Sequence, residues 1–228
     1  MKLILTFSPP KEKMIPFDHN YMVGSSLYRL LATQSPEYAE TIHNKTNHKG
    51  YVISNLLPSG KRVYDQGIGA ERYVLIVASR DHNLLAAIQV AIQKQRHLNV
   101  NNSILPLIQA SIVNINIPPP PCELLTKSPA LIKKNKRFIR PDDPGFNEAV
   151  LEWIQKKYVH YYQKPCPEIR LFNIINYEKK LKVVKLNKLP CTVMRFFIDA
   201  PEDIIEMLLT EGLGSKTALG FGFIDEAR

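Results

Sequence analysis

Residues 212–222, near the C-terminus, combine residue types that suit binding of a phosphate group. This glycine loop has two Gly-hydrophobic-Gly units, one on each side of Lys216. Glycine adopts backbone conformations that other residues avoid, so such a loop can direct several amide N–H groups at one anion. Glycines also form ordinary tight turns, and the spacing alone leaves that alternative open. The residues predicted to bind are Gly212, Gly214, Lys216, Gly220 and Gly222.

Two common nucleotide-binding motifs fail on spacing. A P-loop has one glycine directly before its lysine and another five residues earlier, but those positions here are Ser215 and Thr210. A dinucleotide fingerprint needs a glycine three residues after Gly214, where this chain has Thr217. The loop also follows a predicted helix and enters a predicted strand at 221–224, which is the opposite order to that fingerprint. The spacing therefore argues against a nucleotide-hydrolysing module.

Basic residues are concentrated in the part of the chain that precedes the loop. Residues 127–195 include 16 basic and 6 acidic side chains, whereas residues 196–228 include 2 and 7. Basic residues spaced along a hairpin can line one face and follow a phosphate backbone. Either basic run alone would also suit a solvated hairpin, but together with the glycine loop they favour a nucleic acid partner. The first run contains Lys133, Lys134, Lys136, Arg137 and Arg140, and the second contains Lys179, Lys180, Lys182, Lys185 and Lys188.

Composition and cysteine spacing limit the class of protein. The chain has 228 residues, a formal net charge of +9 and 45% hydrophobic residues, which suits one large or two small domains with a polyanionic partner. Cys122, Cys166 and Cys191 show neither zinc-type nor disulfide-type spacing. We therefore expect a cytoplasmic protein with reduced thiols that needs no metal and no cofactor. The apolar stretch at 3–7 is too short for a signal peptide or a membrane span, so we expect no membrane association.

Four consecutive prolines at 118–121 divide the chain, because proline lacks an amide donor and favours a stiff, extended connection. The predicted domains are 1–117 and 122–228. For the first we predict strands at 2–8, 51–56, 72–79 and 104–117, and helices at 21–34, 36–44 and 82–95. For the second we predict a strand or hairpin at 122–140, strands at 169–175 (with 180–186), 191–198 and 221–224, a helix opened by Asp143-Pro144 and a helix at 202–209. Both halves follow the order βαββαβ, so the predicted fold is α+β with two tandem ferredoxin-like domains.

In these features the chain resembles the CRISPR-associated endoribonucleases that cut precursor CRISPR RNA within each repeat. The resemblance rests on the glycine loop with Lys216 inside it and on the two successive ferredoxin-like halves. It implies that CRISPR repeat RNA is the partner, bound by the glycine loop and by Lys133, Lys134, Lys136 and Arg137. The loop is typical of a wider superfamily of CRISPR repeat-associated RNA-binding proteins, so it does not by itself imply cleavage.

The resemblance also implies catalytic residues in the first half. Many members use a tyrosine on the first helix, a histidine further along the chain and a lysine shortly after it. Tyr28, His43 and Lys49 match that pattern, and His48 is an alternative to His43. The family chemistry uses the 2′-hydroxyl of the RNA as nucleophile and leaves a 2′,3′-cyclic phosphate and a 5′-hydroxyl without a metal ion.

Each of the three residue types suits one part of that reaction. Histidine transfers protons near neutral pH, lysine stabilises charge on the phosphate, and tyrosine can position the nucleophile or relay its proton. His43 is predicted in the last turn of a helix, where the helix dipole favours the imidazolium. We therefore hypothesise that His43 acts as the acid.

A non-catalytic binder of the same RNA, either a degenerate relative or a subunit of an effector complex, is the main alternative. Such a binder need not keep Tyr28, His43 and Lys49 together. The sequence leaves open whether the chain associates with effector-complex proteins or forms a homodimer.

Overall fold

The computed structural model describes residues 1–12, 14–44 and 49–227, without the side chains of Thr41 and His43. The chain divides into two compact units. The first comprises Met1–Asn114 with Ala218–Gly220, and the second comprises Ile115–Thr217 with Phe221–Arg228. Within the described residues, no helix has the length and apolar character needed to cross a membrane.

The first unit is built on an antiparallel sheet with helices packed against it. Its elements are β1 (Lys2–Phe7), β2 (Ile15–Pro16), α1 (Asn20–Gln34), α2 (Pro36–Asn44), β3 (Tyr51–Ile53), β4 (Leu57–Ser59), β5 (Arg62–Tyr64), β6 (Gly67–Gly69), β7 (Arg72–Ser79), α3 (His82–Gln95), β8 (His97–Val100) and β9 (Ser103–Val113). The main sheet has the order β3-β7-β1-β9-β8, with β4 also paired to β7, and β2-β6-β5 form a separate small sheet.

The core of the first unit is built from apolar residues that recur at every second position in strands and along one face of each helix. Every second residue of β1, including Leu3 and Leu5, is fully buried, as expected for a strand with one face on the core. The apolar stripe of α1 is buried in the same cluster. Asp81 caps the start of α3, because its carboxylate accepts a hydrogen bond from the Leu84 amide at 3.1 Å.

The second unit has a four-stranded antiparallel sheet covered by two helices. Its elements are β10 (Cys122–Thr126), β11 (Ile132–Lys134), β12 (Arg137–Ile139), α4 (Phe146–Tyr162), β13 (Leu171–Val184), β14 (Asn187–Asp199), α5 (Glu202–Glu211) and β15 (Ile224–Glu226). The sheet order is β13-β14-β10-β15, and β11 and β12 form a separate hairpin. Val150 and Ile154 of α4 and Ile204 and Leu208 of α5 are fully buried in the core of this unit. The fold is α+β with two ferredoxin-like units, as the sequence predicts.

Several predicted strand limits are wrong. The strand predicted at 104–117 ends at Val113, because Ile115 and Ile117 pack against the core of the second unit instead. The strands predicted at 169–175 and 180–186 are one strand, β13, which pairs with β14 along its length. Its middle is polar and exposed, so it shows none of the apolar alternation from which strands are predicted.

The final strand is also displaced from its prediction at 221–224. β15 spans Ile224–Glu226 and pairs with β10. Phe221, near the end of the glycine loop, and Phe223, just after it, are fully buried. Their apolar character therefore reflects burial rather than strand pairing.

Candidate functional site

Backbone hydrogen bonds within the second unit fix the glycine loop. The Leu213 amide donates to the Gly222 carbonyl at 2.8 Å, the Ser215 amide to the Leu131 carbonyl at 2.8 Å, and the Gly222 amide to the Pro129 carbonyl at 2.9 Å. These three amides already have acceptors in the protein. An anion must therefore be bound by other groups of the loop.

Two of the loop glycines allow one backbone segment to approach another. A Cβ on Gly222 would overlap the Leu213 carbonyl oxygen, and a Cβ on Gly214 would overlap the Leu131 carbonyl oxygen. Both glycines also have positive φ, +67° and +85°. Because the obstructing atoms are backbone, no rotamer change would make room for a side chain. Part of the glycine pattern thus serves the fold of the loop itself.

Lys216 supplies the exposed charge of the loop. All four glycines around it are buried, whereas Lys216 is exposed. Its backbone is left-handed, with φ +64°, an uncommon conformation for a residue that has a side chain. The loop therefore presents one ammonium group on an otherwise tightly packed backbone.

The first basic run forms the β11–β12 hairpin. Asn135 and Lys136 both have positive φ, 50° and 65°, as in the two-residue turns that suit the twist of paired strands. Lys136 and Arg137 are exposed at this tip. Both cations are therefore accessible to a phosphate backbone.

The other two lysines of this hairpin already contact the protein. The Lys133 ammonium lies 4.8 Å from the centroid of the Phe138 ring. The half-buried Lys134 donates to the Gly145 carbonyl at 3.5 Å, next to the start of α4. In the second basic run, Lys179 is similarly engaged with Asp142 at 2.7 Å.

Lys49 lies at the C-terminal end of α2. Its ammonium donates to the Ile42 carbonyl at 3.0 Å, and Ile42 directly precedes position 43 in the last turn of this helix. Burial lowers the pKa of Lys49. The hydrogen bond thus brings the lysine beside the backbone of the candidate catalytic histidine.

Tyr28 is half-buried on α1 and packs against the core of the first unit. It lies close to Tyr51 of β3, whose pKa is raised to about 12 by burial and, to a smaller extent, by Tyr28. Tyr51 is two residues after Lys49. The fold therefore brings Tyr28, the start of β3 and the end of α2 into one part of the first unit.

Of the two candidate histidines, the structure describes only the backbone of His43. The backbone of His43 is in the last turn of α2, as predicted, but its side chain lies outside the described part of the chain. His48 also lies outside the described residues. Among the residues that are described, no group of three or more His, Cys, Asp or Glu side chains is placed to hold a metal ion.

Helix α1 contributes two contacts that the sequence did not predict. Asn20 Nδ2 donates to the Gly220 carbonyl at 2.6 Å, and a Cβ on Gly24 would lie only 2.6 Å from the Ala218 carbonyl oxygen. Asn20, Gly24 and Tyr28 recur at every fourth position, so they share one side of the helix. No local pattern could reveal a contact between residues 200 positions apart.

Known proteins resemble this chain in sequence. Residues 121–226 match the family model of the CRISPR-associated protein Cas6, C-terminal domain. The chain is 23% identical over 235 residues to CRISPR-associated endoribonuclease Cas6 1 of Methanocaldococcus jannaschii, and the alignment covers 98% of this chain and 92% of that relative.

Solved structures share the fold over the whole chain. A CRISPR-associated protein Cas6 superposes with a TM-score of 0.85 at 22% identity, covering 100% of this chain and 99% of the other. A Cas6-related gene product of Pyrococcus furiosus gives 0.86 at 17% identity, covering 100% and 98%. A RAMP protein that binds different RNA substrates gives 0.88 at 18% identity, covering 100% of both chains. The similarity to a Cas6 relative thus extends along nearly the whole chain, and residues 121–226 match the Cas6 C-terminal family model, in agreement with the resemblance that the sequence indicates.

Proposed function

We propose that this chain is a metal-independent endoribonuclease that cuts precursor CRISPR RNA within its repeats. The observation that carries the proposal is the hydrogen bond from Lys49 to the Ile42 carbonyl. It puts a cation beside the helix end that carries His43, in the same part of the first unit as Tyr28. The match of residues 121–226 to the Cas6 C-terminal model and the named activity of the Methanocaldococcus jannaschii relative support the same function.

The three residues divide the reaction as follows. The RNA 2′-oxygen attacks the scissile phosphorus while the bond from phosphorus to the 5′-oxygen breaks, which leaves a 2′,3′-cyclic phosphate and a 5′-hydroxyl. Tyr28 positions the 2′-hydroxyl and relays its proton, and His43 gives a proton to the departing 5′-oxygen. The Lys49 ammonium stabilises the negative charge that develops on the phosphate oxygens.

RNA binding is assigned to the glycine loop and the β11–β12 hairpin. Lys216 and the glycine loop, together with Lys133, Lys134, Lys136 and Arg137, contact phosphates of the repeat. These contacts make the affinity strongly dependent on salt concentration. Bases of single-stranded segments, or the shape of a hairpin, would supply sequence specificity.

The test is incubation of the protein with its host's repeat RNA in EDTA, followed by mapping of the cut and analysis of the new ends. We expect one cut per repeat, with a 2′,3′-cyclic phosphate and a 5′-hydroxyl. Stable binding without a cut would instead identify a non-catalytic binder. Cleavage that stops in EDTA and returns with Mg²⁺ would contradict the metal-independent mechanism.

A further inference from the structure

We propose that a buried ion pair, Lys157 with Glu211, positions the glycine loop and thereby sets the affinity for repeat RNA. The inference rests on the proposed function, because it assumes that the loop contacts RNA. It assigns a positioning role to two residues that touch neither the RNA nor the reacting atoms.

The pair joins the two helices of the second unit. Lys157 on α4 and Glu211 at the end of α5 are 2% and 1% exposed. The Lys157 ammonium donates to the backbone carbonyl of Glu211 at 3.0 Å and lies 3.4 Å from its carboxylate oxygen Oε2. It also lies 4.7 Å from the centroid of the Trp153 ring. One ammonium thus holds both the backbone and the side chain of Glu211.

The residue held in this way is the last before the loop. Gly212 has φ 73° and ψ −173°, a backbone conformation that is essentially restricted to glycine. The chain changes direction there, and the next residue, Leu213, closes the loop by its hydrogen bond to Gly222. A shift of Glu211 would therefore be passed directly to the segment that carries Lys216.

The pair of Lys157 and Glu211 is expected to add little to the free energy of unfolding. Burial lowers the pKa of Lys157 to about 8, although the Glu211 carboxylate acts in the opposite direction. Loss of hydration at both charges offsets much of their attraction, and apolar replacements of buried ion pairs are often neutral or stabilising. The hydrogen bonds do impose direction, because the carbonyl and the carboxylate must both face one ammonium. The cation also lies at the C-terminus of α5, where unpaired carbonyls favour positive charge.

The position of Lys157 in the sequence of α4 already indicates that its side chain is buried. Lys157 lies four residues after Trp153 and seven after Val150, so it falls on the apolar stripe of α4. A lysine in that position must either reach solvent or find a buried partner.

The test replaces both charges by unbranched apolar side chains, in the double variant Lys157→Met/Glu211→Met. The matched control is Lys156→Met/Glu152→Met, which removes an exposed ion pair from the same helix and leaves the net charge equally unchanged. The probe is repeat RNA with a 2′-deoxy nucleotide at the mapped cleavage position, which binds without being cut. Thermal unfolding of each variant is followed by circular dichroism.

We expect the buried double variant to keep its unfolding temperature within a few degrees while its Kd rises about tenfold, the effect of losing one charge-assisted hydrogen bond at the loop. The salt dependence of binding should also weaken, because displaced loop groups no longer reach a phosphate. The control should leave the Kd within about twofold, as expected for an exposed pair. An unchanged Kd in the buried double variant would overturn the inference, whatever happens to its stability.

Two further variants distinguish failure of the loop's role in RNA binding from failure of the positioning role of the ion pair. Lys216→Ala tests whether the loop binds RNA at all. If it leaves the Kd unchanged, the proposed role of the loop in RNA binding fails. If it raises the Kd but the buried double variant does not, only the positioning role of the pair is wrong. Should the double variant not fold, Glu211→Gln retains the shape and the backbone carbonyl, and an unchanged Kd in that folded variant would equally overturn the inference.

Discussion

The glycine loop and the region around Lys49 show two ways of building a site. In the loop, neighbouring residues are held by backbone hydrogen bonds, and glycines are needed because carbonyl oxygens occupy the space of a side chain. Around Lys49, side chains come from α1, from the end of α2 and from the start of β3. We propose that the loop binds phosphates of the strand through Lys216, whereas the region around Lys49 carries out the cleavage. Variants in the two regions should therefore separate affinity from rate.

The largest effect is expected for His43→Ala. Loss of a general acid lowers a rate by about 10²- to 10⁴-fold, and the Kd for uncut RNA should remain unchanged. Single-turnover cleavage at saturating protein measures this. His82→Ala, which changes an exposed histidine of the same unit, is the control. Equal losses in the two variants would remove the catalytic role of His43.

Lys49→Ala should lower the single-turnover rate by about 10²-fold, because the charge that stabilises the transition state is lost. The pH dependence gives a sharper test. Burial lowers the pKa of Lys49 from the usual 10.5, so the active ammonium form is lost at a lower pH than for a lysine in water. The rate should therefore fall on the alkaline side, and Lys49→Arg should abolish this fall because arginine stays charged. A fall that persists in Lys49→Arg would assign it to another group.

Gly222→Ala should lower both stability and RNA affinity, whereas Lys216→Ala should lower only RNA affinity. A methyl group on Gly222 must displace the Leu213 backbone, so we expect a destabilisation of about 1–3 kcal/mol together with weaker RNA binding. Lys216→Ala removes only an exposed charge, so binding should weaken without loss of stability. Thermal unfolding and filter binding distinguish the two. Equal unfolding temperatures in both variants would contradict the packing argument for Gly222.

The smallest effect is expected within the basic hairpin. Lys136→Ala should reduce the salt dependence of log K by about 0.7, the value for one phosphate contact on a single strand. Lys134→Ala should change that slope less, because the Lys134 ammonium already donates to the Gly145 carbonyl. Titrations at several salt concentrations give the two slopes. A larger change at Lys134 would reverse this ranking of the hairpin lysines.

The sequence predicted those elements whose signals are local. Strand β1 and helices α1 and α3 lie within one residue of their predicted limits, because neighbouring residues set their patterns. The exposed polar middle of β13 and the buried phenylalanines after Gly220 gave misleading patterns, because edge exposure and burial produced them rather than strand periodicity.

The candidate sites were predictable only in part. The glycine loop was visible because its residues are consecutive, but its internal use of the Leu213, Ser215 and Gly222 amides depends on the fold. Tyr28, His43 and Lys49 came from family resemblance rather than from periodicity. The contacts of Asn20 with Gly220 and of Lys157 with Glu211 join distant parts of the sequence, so no window along the chain could identify both partners.

The most direct test of the separation between binding and chemistry is the single-turnover cleavage rate as a function of protein concentration. It should be measured for wild type, His43→Ala, Lys216→Ala and the double variant. We predict that His43→Ala lowers only the plateau rate, that Lys216→Ala raises only the half-saturating concentration, and that their free-energy effects add in the double variant. A plateau lowered as much by Lys216→Ala as by His43→Ala would contradict the account.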